Sequence, residues 1–360
     1  MKIVIFGLTI SSSWGNGHAT IWRGLIRELI SRGHNVIFFE RDVPYYAAYR
    51  DLRHLPGGSL YIYKDWLEAR PKIERELAEA DVALVSSYCP DAILASEAIW
   101  SADVLRIFYD LDTPVTISRL RRGETVPYVH PAGLGNFDLV LSFTGGGALD
   151  YLRGELDARH VVPLYGSVDP TLHRPAPPHP AYAATFSYLG TYSADRQSAL
   201  RGLFLEPASR LPEKRFVLGG AQYPPDFPWL PNVFFVQHLA PADHPSFFCS
   251  SRLTLNITRG AMREVGWCPS GRLFEAAACG VPLVSDWWEG LEQFFEPHSE
   301  ILLADSADDV IDALATSEAD LARIAQAARE RVLAEHTAAH RAREFERIVA
   351  KAREQEMAAA

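Results

Sequence analysis

The sequence predicts an α/β protein built of two doubly wound parallel-sheet domains. At 360 residues the chain is longer than one ordinary hydrophobic core serves. Short apolar runs alternate with helical patterns in two successive series, and a proline-rich segment separates the series. Such alternation is typical of a parallel sheet covered by helices on both faces, whose buried strands are continuously apolar.

The first series begins at the N-terminus. Lys2–Leu8 is an apolar run that predicts a buried strand, and Ser11–Gly17 is a loop rich in serine and glycine. Apolar residues then recur at helical spacing from Ile21 to Ile30, and Gly33 ends the helix. The following apolar runs predict further strands at Val36–Phe39, Val82–Val85, Val104–Tyr109, Leu139–Phe143 and Val161–Tyr165.

A composition break separates the two series. The prolines of Arg174–Pro180 cannot lie inside a helix or a central strand, so we expect the linker here, between domains of residues 1–172 and 181–335. From Glu318 onward neither glycine nor proline occurs, which predicts a long helix whose end, about residues 336–360, could pack back on the first domain. The second series predicts strands at Phe186–Leu189, Arg215–Leu218, Val233–Val236, Leu253–Ile257 and Val281–Ser285.

Composition and charge exclude several classes of protein. The net charge of −10 argues against a nucleic-acid backbone as the main partner, because phosphates require clustered lysine and arginine. The N-terminus lacks the pattern of a secretory signal and no run approaches ~20 apolar residues, so we expect a cytoplasmic protein without a membrane span. The cysteines lack C-x-x-C spacing and are expected to be free thiols: Cys89, Cys249, Cys268 and Cys279.

The most specific stretch of the sequence surrounds a predicted helix that opens at Ser270. Its first turn would present free N–H groups and the positive end of the helix dipole. Gly271 would let an anion approach the backbone, and Arg272 would add a fixed positive charge. Glu275, one turn further on, could accept hydrogen bonds from two sugar hydroxyls. The alternative is a plain βαβ crossover with a surface glutamate.

This stretch, residues 268–285, resembles the signature of GT-B glycosyltransferases, in which a Glu, small residues and Gly-x-Pro mark the helix that binds the nucleotide ribose. Residues 162–175 resemble the interdomain segment of that class, and residues 190–196 resemble the first loop of its donor domain. With residues 285–291, the chain is most similar to the CgeB-like (spore-protein-like) branch. The resemblance implies two Rossmann-like domains facing across a cleft.

The resemblance also implies a reaction and a set of ligands. The protein would move a sugar from a nucleoside-diphosphate sugar, with UDP favoured by family frequency, to an acceptor that the sequence does not name. Glu275 would hold the ribose, main-chain groups at His238 and Leu239 would meet the base, and Arg259 would be an extra contact. The diphosphate would be bound without a metal by Gly190, Thr191, Arg196, Ser270, Gly271 and Arg272.

One departure concerns the donor sugar. Related transferases place a second glutamate eight residues before the ribose glutamate, and this chain has Trp267 there. Glu264 is close but out of register. The retaining or inverting outcome therefore stays open, and a non-catalytic sugar- or nucleotide-binding protein with a degenerate transferase fold is one alternative function.

The N-terminal domain contains the candidate catalytic groups. Gly15 and Gly17 permit close approach of the backbone, and His18 can transfer a proton near neutral pH. This loop resembles the Gly-His of inverting GT-B enzymes, although His18 could instead cap or pack. Asp110 and Asp112 close another predicted strand and could orient His18, act as the base or bind an acceptor. As a D-x-D pair they could alternatively hold Mn²⁺ or Mg²⁺.

Weaker patterns allow other interpretations. Gly15-Asn16-Gly17, followed by a helix, a strand and Glu40, partly matches a dinucleotide-binding fingerprint and would indicate an NAD(P)-dependent oxidoreductase, although Thr20 holds the third glycine position. His336 and His340 lie one helical turn apart, and we expect them on the surface rather than on a metal. Trp287 and Trp288 could stack on a sugar or cap the core.

Overall fold

The computed structural model describes residues 1–359, which form two compact units. The N-terminal unit consists of Met1–Tyr165 together with the C-terminal helix from Ala338, and the C-terminal unit is Gly166–Thr337. Each unit contains one entirely parallel sheet with helical crossovers. The predicted fold of two doubly wound domains is confirmed.

The N-terminal unit has a seven-stranded sheet of order β3-β2-β1-β4-β5-β6-β7. Its strands are β1 Lys2–Gly7, β2 Asn35–Arg41, β3 Ser59–Tyr63, β4 Val82–Ser86, β5 Leu105–Asp110, β6 Leu139–Ser142 and β7 Val161–Pro163. Its helices are α1 Gly17–Ser31, α2 Pro44–Ala47, α3 Trp66–Ala78, α4 Ala92–Trp100, α5 Thr113–Arg121, α6 Gly147–Leu156 and α14 Ala338–Ala359. The strand order reverses between β1 and β4, and loops at the carboxyl ends of strands around such a point commonly form ligand sites.

The C-terminal unit has a six-stranded sheet of order β10-β9-β8-β11-β12-β13. Its strands are β8 Ala184–Leu189, β9 Phe216–Gly220, β10 Val233–Gln237, β11 Ser251–Asn256, β12 Leu283–Ser285 and β13 Leu302–Leu303. Its helices are α7 Gln197–Leu200, α8 Glu206–Arg210, α9 His244–Cys249, α10 Gly260–Val265, α11 Gly271–Ala278, α12 Ala307–Ala315 and α13 Glu318–Glu335. A π-helical turn, Arg201–Leu205, joins α7 to α8.

Two strands lack a sequence signal. The edge strand β3 is only partly buried along most of its length, so it shows no continuous apolar run. The other, β13, is two residues long. Both are edge strands, so each pairs with a neighbouring strand on one side only.

The proline-rich segment is part of the C-terminal unit rather than a free linker. The division between the units falls earlier, between Tyr165 and Gly166. Within the segment, the Ala176 N–H donates to the Cys249 sulfur, and the His179 N–H donates to the Ser250 hydroxyl over 2.7 Å. Proline excludes regular structure here, but these bonds hold the segment against the C-terminal unit.

The prediction of one long helix from Glu318 is wrong, because the helix is interrupted between α13 and α14. At the break Thr337 forms a β-bridge with Val168, whose N–H donates to the His336 carbonyl. The expected surface position of His336 is also wrong. Its buried ring stacks 4.8 Å from the ring of Phe274, measured between centroids. Helix propensity is a local quantity, and here tertiary bonds override it.

Two expectations from composition can be compared with the structure. All four cysteines are free thiols. Within residues 1–359, none of the helices combines the length and the apolar character that crossing a bilayer demands.

The core of the C-terminal unit depends on a buried aromatic cluster, which yields a prediction. Phe204 is fully buried, with ring centroids 5.8 Å from Phe186 and 5.5 Å from Phe216. Phe204→Ala should lower the free energy of unfolding by about 3–5 kcal/mol through lost burial and a residual cavity. The matched control is Phe234→Ala on the edge strand β10, because that ring is 42% exposed; its effect should stay near or below about 1 kcal/mol. Urea denaturation measures both, and equal losses would contradict this view of the core.

Candidate active site

Helix α11 begins where the sequence predicts, directly after Ser270. The Ser270 side chain makes no capping hydrogen bond to the helix. A Cβ built on Gly271 would meet no atom within 4 Å, so there is open space beside the first turn. The N-terminal end of α11 can therefore admit an anion to its backbone N–H groups.

Arg272 is held at the carboxyl ends of two strands. Its guanidinium donates from Nε to the Leu189 carbonyl, and from Nη1 to Asn256 Oδ1 over 2.9 Å. It also lies 5.0 Å from the centre of the Tyr188 ring. Burial lowers the pKa of Arg272 from its ordinary value of 12.5. A guanidinium is nevertheless not deprotonated in proteins. The predicted positive charge is present, in a fixed position.

Arg196 brings a second guanidinium to the same phenol. Its Nη1 donates to the Tyr188 hydroxyl over 3.1 Å, and its Nε is buried without a hydrogen-bond partner among residues 1–359. Burial alone would raise the pKa of Tyr188, but the charges of Arg196 and Arg272 lower it below its ordinary value. In the described part of the chain, neither guanidinium lies within 4 Å of a carboxylate oxygen. The two arginines therefore lack a direct carboxylate partner in the described part of the chain, although Asp195 and Glu275 attract them at longer range.

Position 190 requires glycine because neighbouring side chains fill the space that a Cβ would need. A Cβ at this position would lie 2.5 Å from the Tyr188 hydroxyl and 3.0 Å from Arg272 Nη2. The Gly190 N–H donates to the Gly219 carbonyl over 2.8 Å, and Thr191, the next residue, is half-buried. The predicted loop thus lies beside both arginines, and its glycine makes room for them.

Glu275 lies on the buried face of α11 between two histidines. Its Oε1 is 3.8 Å from His173 Nε2, and its Oε2 is 3.5 Å from His244 Nδ1. Burial would raise the pKa of Glu275, but the histidines and Arg272 lower it to about 2. Neither histidine is predicted from the sequence to be a neighbour of Glu275. His173 lies within the interdomain motif of residues 162–175, whereas His244 has no local signal.

The other residues of the C-terminal unit that were predicted to contact the nucleotide-sugar use some of their polar groups for bonds within the protein. The His238 N–H donates to the Gly220 carbonyl over 2.7 Å, so it is not free for a base, and Leu239 is buried. Arg259 Nε pairs with Asp195 Oδ2 over 3.2 Å. A ligand that used Arg259 would have to share it with this carboxylate.

Trp267 shapes the chain where related transferases have a glutamate. It adopts a left-handed φ of 51°, and its N–H donates to the Glu289 carbonyl over 2.6 Å. A Cβ on Gly290 would lie 2.4 Å from the indole, so the glycine admits the ring. Trp288 is buried, which fits the core interpretation, while Trp287 is 44% exposed.

In the N-terminal unit, the loop after β1 is fixed by a buried carboxylate. Glu40 is fully buried, and its Oε2 accepts hydrogen bonds from the N–H groups of Ile10 and Ser11, over 2.8 Å and 3.0 Å. The Ser11 hydroxyl donates to its other oxygen. Glu40 is therefore not available to a ribose hydroxyl, which removes the acidic residue that the oxidoreductase interpretation requires.

This loop leads into α1 and positions His18. Asn16 caps the helix by accepting a hydrogen bond from the His18 N–H over 3.1 Å. Gly15 adopts a left-handed φ of 58°, which favours glycine, whereas a Cβ on Gly17 would meet open space. Space beside Gly17 is what the prediction of close ligand approach requires.

His18 and the two aspartates come together as the strand ends predict. His18 Nε2 lies 3.4 Å from Asp112 Oδ2, and Asp110 Oδ1 accepts a hydrogen bond from the Asp112 N–H over 3.0 Å. Asp110 is fully buried and its Oδ2 has no hydrogen-bond partner among residues 1–359. Asp112 contacts the histidine directly, while Asp110 positions Asp112. The buried Asp110 is poorly placed for the alternative metal pair.

Burial makes Asp110 a source of pH-dependent stability. It raises the pKa of Asp110 from 3.8 to about 6, so the folded protein binds this proton more tightly than the unfolded chain. Stability should therefore fall as pH rises from about 4 to about 6, by up to roughly 3 kcal/mol. Asp110→Asn should lose this slope. Urea denaturation of both proteins between pH 4 and 7 measures it, and a pH-independent difference would contradict the prediction.

The comparisons with known proteins agree with this architecture. Residues 196–347 match the family model described as glycosyl transferase-like. No curated protein matches the sequence.

Solved structures resemble the whole chain in fold. Sucrose-phosphate synthase from Thermosynechococcus elongatus is 15% identical with a TM-score of 0.69, and the match covers 100% of both chains. Anabaena HepE in complex with UDP-glucose is 12% identical with a TM-score of 0.70, covering 98% of this chain and 100% of HepE. An alpha-glucosyltransferase in complex with UDP and mismatched DNA is 12% identical with a TM-score of 0.69, covering 97% and 99%.

At such identities the solved structures show a common fold, and the family match over residues 196–347 adds the type of chemistry. Together they identify the protein as a glycosyltransferase of the GT-B fold.

Proposed function

We propose that the protein transfers a sugar from a UDP-sugar to an acceptor hydroxyl without a metal cofactor. The proposal rests on the cationic cluster of Arg196 and Arg272 around Tyr188, in the same unit as the open first turn of α11. The solved structures of HepE and of the alpha-glucosyltransferase contain UDP or UDP-glucose, which supports uridine as the donor base. The CgeB-like branch stays a prediction from sequence.

The cationic cluster suits a diphosphate leaving group. Negative charge develops on the diphosphate as the glycosidic bond breaks, and fixed cations in a buried site stabilise it without reorganising. Arg196 has a buried Nε with no partner among the described residues, and Arg272 is held in place by two hydrogen bonds. Two guanidinium groups and the helix end supply the positive charge that a metal would otherwise provide. Ser270, Gly271, Gly190 and Thr191 would complete this subsite.

Glu275 supports the ribose part of the proposal. An ionised carboxylate accepts hydrogen bonds only, which suits two adjacent ribose hydroxyls. Its pKa of about 2 keeps it ionised. Main-chain groups at His238 and Leu239, other than the His238 N–H that donates to the Gly220 carbonyl, stay the predicted base contacts. Arg259 stays an additional diphosphate or sugar contact. With Trp267 in place of a glutamate, the donor sugar must be selected by other groups.

His18 is the proposed base for the acceptor hydroxyl. Its pairing with Asp112 over 3.4 Å would orient the ring and stabilise the imidazolium that forms when a proton is taken up. Space beside Gly17 leaves room for an acceptor. A positioned base that removes the proton of the acceptor hydroxyl is what an inverting transfer requires.

The acceptor is proposed not to be a nucleic acid. One solved structure of similar fold contains DNA together with its nucleotide. The present chain has a net charge of −10, and phosphate backbones bind surfaces with clustered positive charge.

Incubation with UDP-sugars, with and without candidate acceptors, tests turnover directly. Absence of both transfer and donor hydrolysis across the panel would overturn the proposed reaction.

Glu275→Gln tests the ribose site. Hydrogen bonds to a charged acceptor contribute about 1.5–3 kcal/mol, so the Kd for UDP should rise roughly tenfold to hundredfold. The control is Glu264→Gln on α10, because Glu264 is exposed and close in sequence. Calorimetric titration in the presence of EDTA measures both affinities. Equal UDP binding by the two variants and the parent would contradict the assignment.

His18→Ala tests the base. Loss of a positioned base should lower kcat by about 10²–10⁴, with the Kd for UDP unchanged because His18 is not assigned to the nucleotide. His160→Ala serves as the control, since His160 is an exposed histidine of the same unit. Initial rates of transfer or donor hydrolysis supply the readout. A His18 variant with the parent's kcat would remove His18 from the mechanism.

A further inference from the structure

A buried histidine whose side chain makes no hydrogen bond to the described residues lies next to Glu275. The His173 side chain is 0% exposed, and neither of its ring nitrogens has a hydrogen-bond partner among the described residues. Its backbone is fixed, because the His173 N–H donates to the Asp169 carbonyl over 2.8 Å. Buried polar atoms are almost always satisfied in folded proteins, so two orphaned ring nitrogens point to a missing ligand.

A second histidine faces the same carboxylate. His244 is the first residue of α9, and its Nδ1 lies 3.5 Å from Glu275 Oε2. This nitrogen is buried and makes no hydrogen bond to the described residues. The ligand atoms of His173, His244 and Glu275 all lie within 4.8 Å of one another. Three separate segments of the C-terminal unit therefore bring two imidazoles and one carboxylate to one point.

This donor set has the chemistry of a transition-metal site. Two histidines and a glutamate form a known ligand set for Zn²⁺, with ligand distances of about 2.0–2.2 Å that place tetrahedral donors roughly 3.3–3.5 Å apart. The histidine–glutamate separations of 3.5 Å and 3.8 Å end on different oxygens of Glu275, and one ligand atom from each residue lies within 4.8 Å of the others. Side-chain movements of up to about 1.5 Å would therefore bring the donors to tetrahedral spacing. Imidazole nitrogen favours Zn²⁺, Co²⁺ or Ni²⁺ over Mg²⁺ and Ca²⁺, which prefer oxygen ligands.

We propose that His173, His244 and Glu275 form a transition-metal site whose occupation by Zn²⁺ takes Glu275 away from the nucleotide. The metal is not part of the transfer reaction. A carboxylate that ligates a metal between two histidines has less charge and fewer lone pairs to offer two ribose hydroxyls, so Zn²⁺ and UDP compete. The second half of this inference rests on the proposed ribose role of Glu275; the metal site itself does not.

Metal binding is tested on the full-length protein, purified without a histidine tag and stripped with EDTA. Calorimetric titration should give one Zn²⁺ per chain, and Co²⁺ should develop the intense visible absorption of a tetrahedral complex. Mg²⁺ should produce neither signal. His244→Gln should weaken Zn²⁺ binding roughly tenfold or more, while His160→Gln should leave it unchanged.

His173→Gln provides a second variant with the same expected loss, and circular dichroism shows whether each variant is folded. The site is overturned if the parent binds no Zn²⁺, or if folded His244→Gln binds it as tightly as the parent does. Neither result would affect UDP binding measured in EDTA, so the proposed function would stand or fall separately.

Competition is tested by measuring the Kd for UDP with and without saturating Zn²⁺. The Kd should rise at least tenfold in the parent, since the metal must leave before the ribose can bind. Zn²⁺ also binds free UDP, and His244→Gln corrects for this because its UDP affinity should respond only to that solution complex. Equal responses of parent and variant would overturn the competition.

Discussion

The candidate donor site depends on a buried phenol held between two guanidinium groups. Tyr188 accepts a hydrogen bond from Arg196 and lies under Arg272, which is itself bonded to the Leu189 carbonyl and to Asn256. Burying two like charges near each other is unfavourable unless something compensates them. The phenol, the carbonyl and the amide oxygen do so only in part, and a diphosphate would complete the compensation.

This constraint accounts for features that lie around it. Gly190 has to be glycine because the Tyr188 hydroxyl and Arg272 occupy the space of a side chain. Gly220 is packed as closely, since a Cβ there would lie 2.1 Å from the Gly190 carbonyl oxygen. Gly190 follows β8 and Gly220 is the last residue of the neighbouring strand β9, so the loop is packed closely against the sheet. Glycine here serves the internal packing that fixes the cations.

Glu275 connects the donor site with the proposed metal site. A carboxylate this deeply buried requires nearby positive charge or hydrogen-bond donors, and its neighbours include Arg272, His173 and His244. In the transferase the ribose would supply hydroxyl donors; in the metal-bound form the ion would supply charge. The same electrostatic demand can thus be met by two ligands, which is why the two are expected to exclude each other.

Tertiary structure decided several features that no local pattern contains. His173, His244 and Glu275 lie far apart along the chain, and only the packing of α9 and α11 around the sheet brings them together. The long helix predicted from Glu318 breaks at Thr337 because bonds to Val168 override local propensity. Arg272 is held in place by the Leu189 carbonyl and by Asn256, both distant along the chain. Each of these outcomes depends on residues distant in sequence.

The sequence by itself determined the two parallel sheets and the helix that begins after Ser270, and it offered the pairing of His18 with an aspartate of Asp110–Asp112 as one of several alternatives. These follow from short-range rules: apolar runs mark buried strands, glycine and proline end elements, and residues after parallel strands share one edge of a sheet. Only the tertiary structure decided which polar groups are satisfied, which cations lack a direct carboxylate partner and which histidines face Glu275. The physical reason is that burial, and hence charge compensation, is a property of the packed chain.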